Sequence, residues 1–154
     1  MILEGLLTMS AAEDVHIAAM GPEVADFRSM TQLILKPFQG SRTNDLLTAH
    51  PEGVFHLTDN VLLFALAVTG VSHERPQMHP ADTVKGWILE DACEAFEFRI
   101  ENADTSGERC RLLAQIQKSH FVRPFRGFNR AAHAVIEAAI LFSRLHLLEA
   151  EEVH

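Results

Sequence analysis

The stretch Leu35-Lys36-Pro37-Phe38-Gln39-Gly40-Ser41-Arg42-Thr43-Asn44-Asp45-Leu46-Leu47 leaves a β-like run, breaks at Pro37 and Gly40, and enters a short helix. Lys36, Arg42 and the hydroxyls of Ser41 and Thr43 converge on that helix start. Backbone N–H groups in the first turn of a helix have no intrahelical partner and point outward, so the spot suits a phosphate. Helix capping by Ser41 or Thr43 beside two solvated charges explains the same residues without a ligand.

Outward from this stretch the chain reads as short strands. Thr31–Phe38 is a strand that Pro37 places at an edge or exit, because proline cannot donate to a ladder. The helix spans Ser41–Ala49 and stops at His50-Pro51, and Gly53–Thr58 is the next strand. Upstream, Ile2–Met9 and Val15–Met20 form a strand pair around the loop Ala11–Asp14, and Gly21-Pro22 ends it. Downstream, Asn60 caps an almost wholly apolar helix, Val61–Thr69, which Gly70 terminates. Such a helix belongs in a core or a subunit interface, and nine residues are too few to span a bilayer.

Val71–Thr83 reads as a solvated loop; its His73, Glu74, His79 and Asp82 fit no metal spacing. Trp87-Ile88-Leu89 is an apolar patch with no clear assignment. Ala95–Glu101 alternates cleanly, with Phe96, Phe98 and Ile100 inward and Glu97, Arg99 and Glu101 outward. After the loop Asn102–Gly107, Cys110, Leu112, Ala114 and Ile116 alternate in a return strand, giving a hairpin. A long helix over residues 129–148, about 30 Å at 1.5 Å per residue, carries Arg130, His133, Glu137 and Arg144 along one polar stripe. The order predicts a mainly β domain with flanking helices (α+β), a small antiparallel barrel or sheet with helices outside it.

The chain has 154 residues, 47% hydrophobic and 22% charged, which suits one globular domain over 1–154. A net charge of -8 argues against nucleic acid and against anionic membrane surfaces as partners. Cys93 and Cys110 lie far apart with no CxxC, as expected of two reduced thiols in a cytoplasmic protein rather than a zinc site. The N-terminus lacks a basic region before its apolar residues, so it is not read as a signal peptide.

Three polar clusters sit at breaks between elements: Lys36–Thr43, Thr58-Asp59-Asn60 and Arg126–His133. Brought together they would form one site. No nucleophile elbow, P-loop, GxGxxG or HExxH is present, so catalytic residues are not assigned. His133 and Glu137, at i and i+4, suit an intrahelical contact better than a metal, and no metal is expected.

The order of elements and three strings resemble the FMN-binding split-barrel superfamily, and more narrowly the domain-of-unknown-function family 447. The strings are Met20-Gly21-Pro22, Lys36-Pro37-Phe38 through Thr43, and Gly127-Phe128-Asn129-Arg130 leading into Ala131–Ala139. The resemblance implies a split β-barrel with a long C-terminal helix, a homodimer, and FMN near the subunit interface. In related flavin reductases a Thr opens the short helix and is followed by an Asn and an apolar residue. Thr43 and Leu47 match the Thr and the apolar residue; Leu46 stands in place of the Asn, and Asn44 is the nearby side chain that could replace its contact.

By the same resemblance Ser41, Arg42 and Thr43 hold the phosphate, with Lys36 adding charge. Backbone from Thr58 through Asp59 to Asn60 meets the isoalloxazine edge, and Asn129, Arg130 and His133 line the site from the same or the partner subunit. The expectation is an FMN-dependent oxidoreductase of unknown substrate. A non-catalytic flavin carrier and a flavin-free metabolite-binding protein are the alternatives.

Overall fold

The computed structural model describes residues 1–70 and 74–144. Eight strands and three helices lie within them: β1 (Gly5–Ala11), β2 (Asp14–Met20), β3 (Gln32–Leu35), α1 (Arg42–Ala49), β4 (Glu52–Leu57), α2 (Val61–Thr69), β5 (Met78–Pro80), β6 (Trp87–Leu89), β7 (Glu94–Asp104), β8 (Arg111–Phe121) and α3 (Arg130–Ser143). Six strands form one antiparallel sheet in the order β2-β1-β4-β7-β8-β3. The result is the split barrel with flanking helices that the sequence resemblance implied.

The barrel closes through single-residue bridges. Glu23 bridges Ile2 on one side and Ile34 of β3 on the other. Four backbone hydrogen bonds make the seam: Leu3 N to Pro22 O, Val24 N to Met1 O, Glu23 N to Ile34 O, and Ile34 N to Glu23 O, all 2.8–3.1 Å. Lys36 forms an ion pair with Glu23 at the same seam.

Alternation along the strands sends side chains to two faces. On the inner face Leu7, Met9, Leu33, Leu35, Phe55, Phe96, Phe98, Cys110, Leu112 and Ala114 are buried around Leu47 of α1. On the outer face Leu6, Phe64, Leu89, Ala92 and Ala139 join α2 and α3 to the sheet. Each fully buried Leu or Phe contributes about 1.5–3 kcal/mol relative to exposure. β1 and β4 run so close that a Cβ on Gly5 would lie 2.3 Å from the His56 carbonyl; glycine is required there by space.

Several expected boundaries move. Ile2 belongs to the seam, not to β1, and the Ala11–Asp14 loop shrinks to the turn Ala12-Glu13, with Ala11 and Asp14 paired and Ala12 at φ 54°. The Val71–Thr83 segment holds β5, which pairs with β6 from the unassigned Trp87–Leu89 patch; His73 lies outside the described residues. β7 continues through Asn102 to Asp104. Glu97 does not face solvent: it is fully buried, because residues 82–83 cover that face of a central strand.

The apolar α2 is covered on one face only. Phe64 is 3% exposed, whereas Leu62 is 65% exposed. α3 follows its N-cap Asn129 and packs on the outer cluster through Ile136, Ala139 and Ile140. The expected continuation to residue 148 falls outside the described residues beyond 144. Of the polar stripe, Glu137 and Arg144 approach Glu4, whose carboxyl burial pushes up and Arg144 draws down. Cys93 and Cys110 are free and buried.

Candidate functional site

Gly40, at φ 76°, turns the chain out of the seam. Ser41 then adopts extended backbone and caps α1, its Oγ accepting from Asn44 N at 3.2 Å. This cap satisfies one first-turn N–H group, that of Asn44, and leaves the others of that turn without an intrahelical partner. Leu47 anchors the helix in the inner core, which draws Thr43 and Asn44 under the surface at 8% and 7% exposure. Arg42 stays exposed. Lys36 is half-buried and carries Glu23 as its counter-ion, so it lends this site less positive field than a free lysine.

Thr43 Oγ1 lies 3.4 Å from Nε2 of His16 on β2. His16 pairs with Met9, and directly opposed residues share a face, so His16 belongs to the inner side with α1. Burial pushes its imidazole below the ordinary histidine range, and Arg42 pushes it further the same way. The Oδ1 of Asn44 is buried and has no hydrogen-bond partner among the described residues. A buried amide oxygen without a donor costs about 1–3 kcal/mol.

The other two clusters meet each other on the outer side. Thr58 Oγ1 donates to Asp91 O at 2.9 Å and accepts from Asn60 N at 3.0 Å. Asn60 caps α2, accepting from Leu63 N at 3.1 Å, and its amide donates to Asp91. Asp59 accepts from Arg123 Nη2 at 2.5 Å and from the backbone N of Arg126 at 2.7 Å. The Arg123 guanidinium holds the Asp59 carboxyl down to about 2.

Asn129 caps α3, its Oδ1 accepting from Ala131 N at 2.9 Å. Arg130 and His133 are exposed. The ring of Phe128 stands edge-on to both Phe125 and His133, with centroids 5.3 and 5.9 Å apart, and Phe128 is 87% exposed. The structure therefore brings Thr58-Asp59-Asn60 to the Arg126–His133 segment and leaves Lys36–Thr43 on the opposite face of the same sheet. Two surface clefts of about 470 and 680 Å³ run along α2 and share Asn60, Leu63, Pro76 and Gln77; Ser41–Asn44 do not line them.

His16 and Arg123 are the residues that sequence reasoning passed over. His16 sits in the alternating run Val15–Met20, where nothing distinguishes it from a strand filler. Arg123 precedes Pro124 in a segment without periodicity. A further polar group lies elsewhere: Asp82, Glu97 and His120 bring potential metal-ligand atoms within 4.8 Å of one another. The Glu97 carboxylate already accepts from Asp82 N at 2.8 Å, Thr83 N at 2.6 Å and the Thr83 hydroxyl, and His120 Nε2 lies 2.7 Å away. Lys118 Nζ is 2.6 Å from Asp82 Oδ2. Protein donors fill the group, which reads as an internal ion network. Burial pushes the Glu97 carboxyl up, but Thr83, Asp82 and His120 outweigh that and leave it below its ordinary value.

A family model described as "Protein of unknown function (DUF447) N-terminal domain" matches residues 3–123, and one described as "Protein of unknown function (DUF447)" matches residues 129–154. No curated protein matches the sequence. Among solved structures, an FMN-bound DUF447 protein from Methanosarcina mazei has 18% identity and a TM-score of 0.80, covering 97% of this chain and 78% of that one. The styrene monooxygenase flavin reductase of Pseudomonas putida S12 has 16% identity and a TM-score of 0.63 over 79% of this chain and 80% of that one. An FMN-binding protein from Thermus thermophilus with bound 1-cyclohex-2-enone has 13% identity and a TM-score of 0.65 over 77% and 70%. Among the described residues no helix is long and apolar enough to cross a membrane.

Proposed function

The chain belongs to the DUF447 family, and from that premise we propose that it is a single-domain, homodimeric FMN-binding protein and a flavin-dependent oxidoreductase. The observation that carries the reading is the buried, donorless Oδ1 of Asn44 beside Thr43 and Arg42 at the N-terminus of α1. A flavin mononucleotide offers both chemistries this place lacks. Its phosphate answers the N–H groups, hydroxyls and cation of the helix start, and its ribityl hydroxyls and ring N–H are donors for a buried amide oxygen.

In this reading Ser41, Arg42 and Thr43 bind the phosphate, with Lys36 as a weaker contributor because of Glu23. Asn44 stands in for the Asn that Leu46 replaces. The segment Thr58-Asp59-Asn60 and the residues Asn129, Arg130 and His133 face away from α1 within one protomer, so they serve a flavin held by α1 of the partner. Exposed apolar side chains on α2 and the segment leading to α3, Leu62, Phe125 and Phe128, are what a second copy would cover. FMN, when bound, supplies the redox chemistry; the chain's own groups bind, orient and screen it from water. Two free buried thiols agree with a reducing compartment such as the cytoplasm.

The test is the visible spectrum of the purified protein before and after loading with FMN and desalting. Retained flavin bands are expected, and Arg42→Ala should weaken FMN about tenfold or more, the range of one charge-assisted contact. A wild-type protein that retains no flavin, or an R42A variant with unchanged affinity, overturns the assignment. Turnover of NAD(P)H with an acceptor separates an oxidoreductase from a carrier, and dimer mass in solution tests the shared site.

A further inference from the structure

His16 has no part in the cofactor site as the sequence resemblance draws it, yet its ring stands beside the first turn of α1. Its Nε2 is 3.4 Å from Thr43 Oγ1, and Thr43 is the second residue of α1, where the first-turn N–H groups emerge. Arg42, one residue earlier, is the charged side chain whose field reaches the ring. Met9, its partner on β1, brings no charge. The Asn44 side chain, 7% exposed with Oδ1 unpartnered, marks the same spot as one shaped for a ligand.

Resting on the FMN reading above, we propose that His16 is a further phosphate-binding residue and that FMN binding draws one proton from solvent onto its imidazole. Two cationic groups, Arg42 and a protonated His16, would then flank a phosphate dianion. In the free protein burial disfavours charging the ring and Arg42 repels the charged form, so the His16 imidazole is held below its ordinary value. A dianion between them reverses the sign of the interaction: each positive charge now favours the anion, and the anion favours the imidazolium. No covalent bond forms or breaks; the buffer loses the proton that the ring gains. By linkage, FMN affinity is strongest where the bound-state ring is protonated and falls as pH rises through the bound-state value.

The experiment is calorimetric titration of the wild-type dimer with FMN at pH 7, in two buffers of different ionisation enthalpy, with riboflavin as the phosphate-free control. Net uptake of about half a proton or more per FMN and none per riboflavin is expected, with FMN affinity falling about tenfold between pH 6.5 and 8.5. Over that range the flavin phosphate, whose second ionisation lies near 6, is mainly dianionic and adds little of its own. In His16→Gln FMN should still bind, several-fold more weakly at pH 6.5, and with no proton uptake. FMN binding without proton uptake by the wild type overturns this inference and leaves the flavin reading intact. Failure of the wild type to bind FMN at all overturns both. The wild-type titration needs no variant, so it decides the matter even where H16Q does not fold.

Discussion

Arg123 Nη2 lies 2.5 Å from Asp59 Oδ1, and the same guanidinium reaches Asp91 Oδ1 through Nε at 2.9 Å. One side chain thereby fastens the β4–α2 junction, the turn before β7 and the segment leading to α3. It also donates to two carbonyls, Asp91 O at 3.0 Å and Pro124 O at 3.3 Å, and to Cys93 Sγ at 3.5 Å. Asp59 completes the clamp by holding the backbone N of Arg126.

Truncating Arg123 leaves Asp59, whose side chain is 14% exposed, without its counter-ion. Arg123→Ala should destabilise the fold by about 3 kcal/mol, the lower end of the range for breaking a buried pair from one side. Urea denaturation measures it, and faster proteolysis within residues 124–128 should accompany it. The Asp59 carboxyl is held near 2, below its unfolded value near 4. A depressed folded value means stability that is complete above pH 4 and lost as pH falls toward 2, about 2 kcal/mol in size. Comparing Tm against pH for wild type and Asp59→Asn checks this; parallel curves below pH 4 count against it.

His56 is fully buried and bridges two chain segments, with Nδ1 3.2 Å from Leu6 O and Nε2 accepting from Leu89 N at 3.2 Å. Burial pushes its imidazole down to about 4. Between there and the unfolded value near 6.5 the unfolded chain binds the extra proton, so stability rises with pH and is lost as pH falls from 6.5 toward 4, by about 3 kcal/mol. His56→Phe should abolish that pH dependence and cost about 2–4 kcal/mol at neutral pH by leaving two backbone groups unpaired. Denaturation midpoints at pH 5 and pH 7.5 for both proteins decide it.

Glu97→Gln places an amide NH2 against groups that already donate, Asp82 N and Thr83 N. A loss of about 2–3 kcal/mol is expected, with hydrogen exchange accelerating first at the amides of Asp82 and Thr83. Equal protection of those two amides in variant and wild type would show that the carboxylate does not hold the loop.

Asn44→Leu removes the buried acceptor that has no donor. The flavin-free protein should gain about 1 kcal/mol, because an apolar group of similar shape carries no desolvation debt. FMN affinity should fall about tenfold or more. Thermal melts and FMN titration together test it; a variant that is both less stable and equally competent in FMN binding contradicts the role assigned to Asn44.

Where local chemistry decided the structure, the sequence was readable. Asn60 and Gly70 bracket α2 where cap chemistry places them, Ser41 caps α1, and the Phe96/Phe98 alternation marks β7. Glu97 was misread because the outward face of β7 is roofed by residues 82–83, a tertiary event that period-two patterning cannot see. β5 and β6 escaped notice because three residues each are too short to show a period. The separation of Lys36–Thr43 from the other two clusters is likewise topological. It follows from which face of the β1–β2 hairpin each helix covers, and each cluster alone looks like any polar helix start.

The Glu23 seam has a mechanical meaning. A barrel closed by long ladders resists opening along every line, but this one is fastened at one place by a single residue's bridges to Ile2 and Ile34. Slow opening should begin there, like a zip with few teeth, and the amides of Leu3, Glu23, Val24 and Ile34 should be the first in the barrel wall to exchange. Because Lys36 closes the same gap through Glu23 and leads directly into the α1 entrance, loosening that fastening changes the shape of the doorway as well as the strength of the wall.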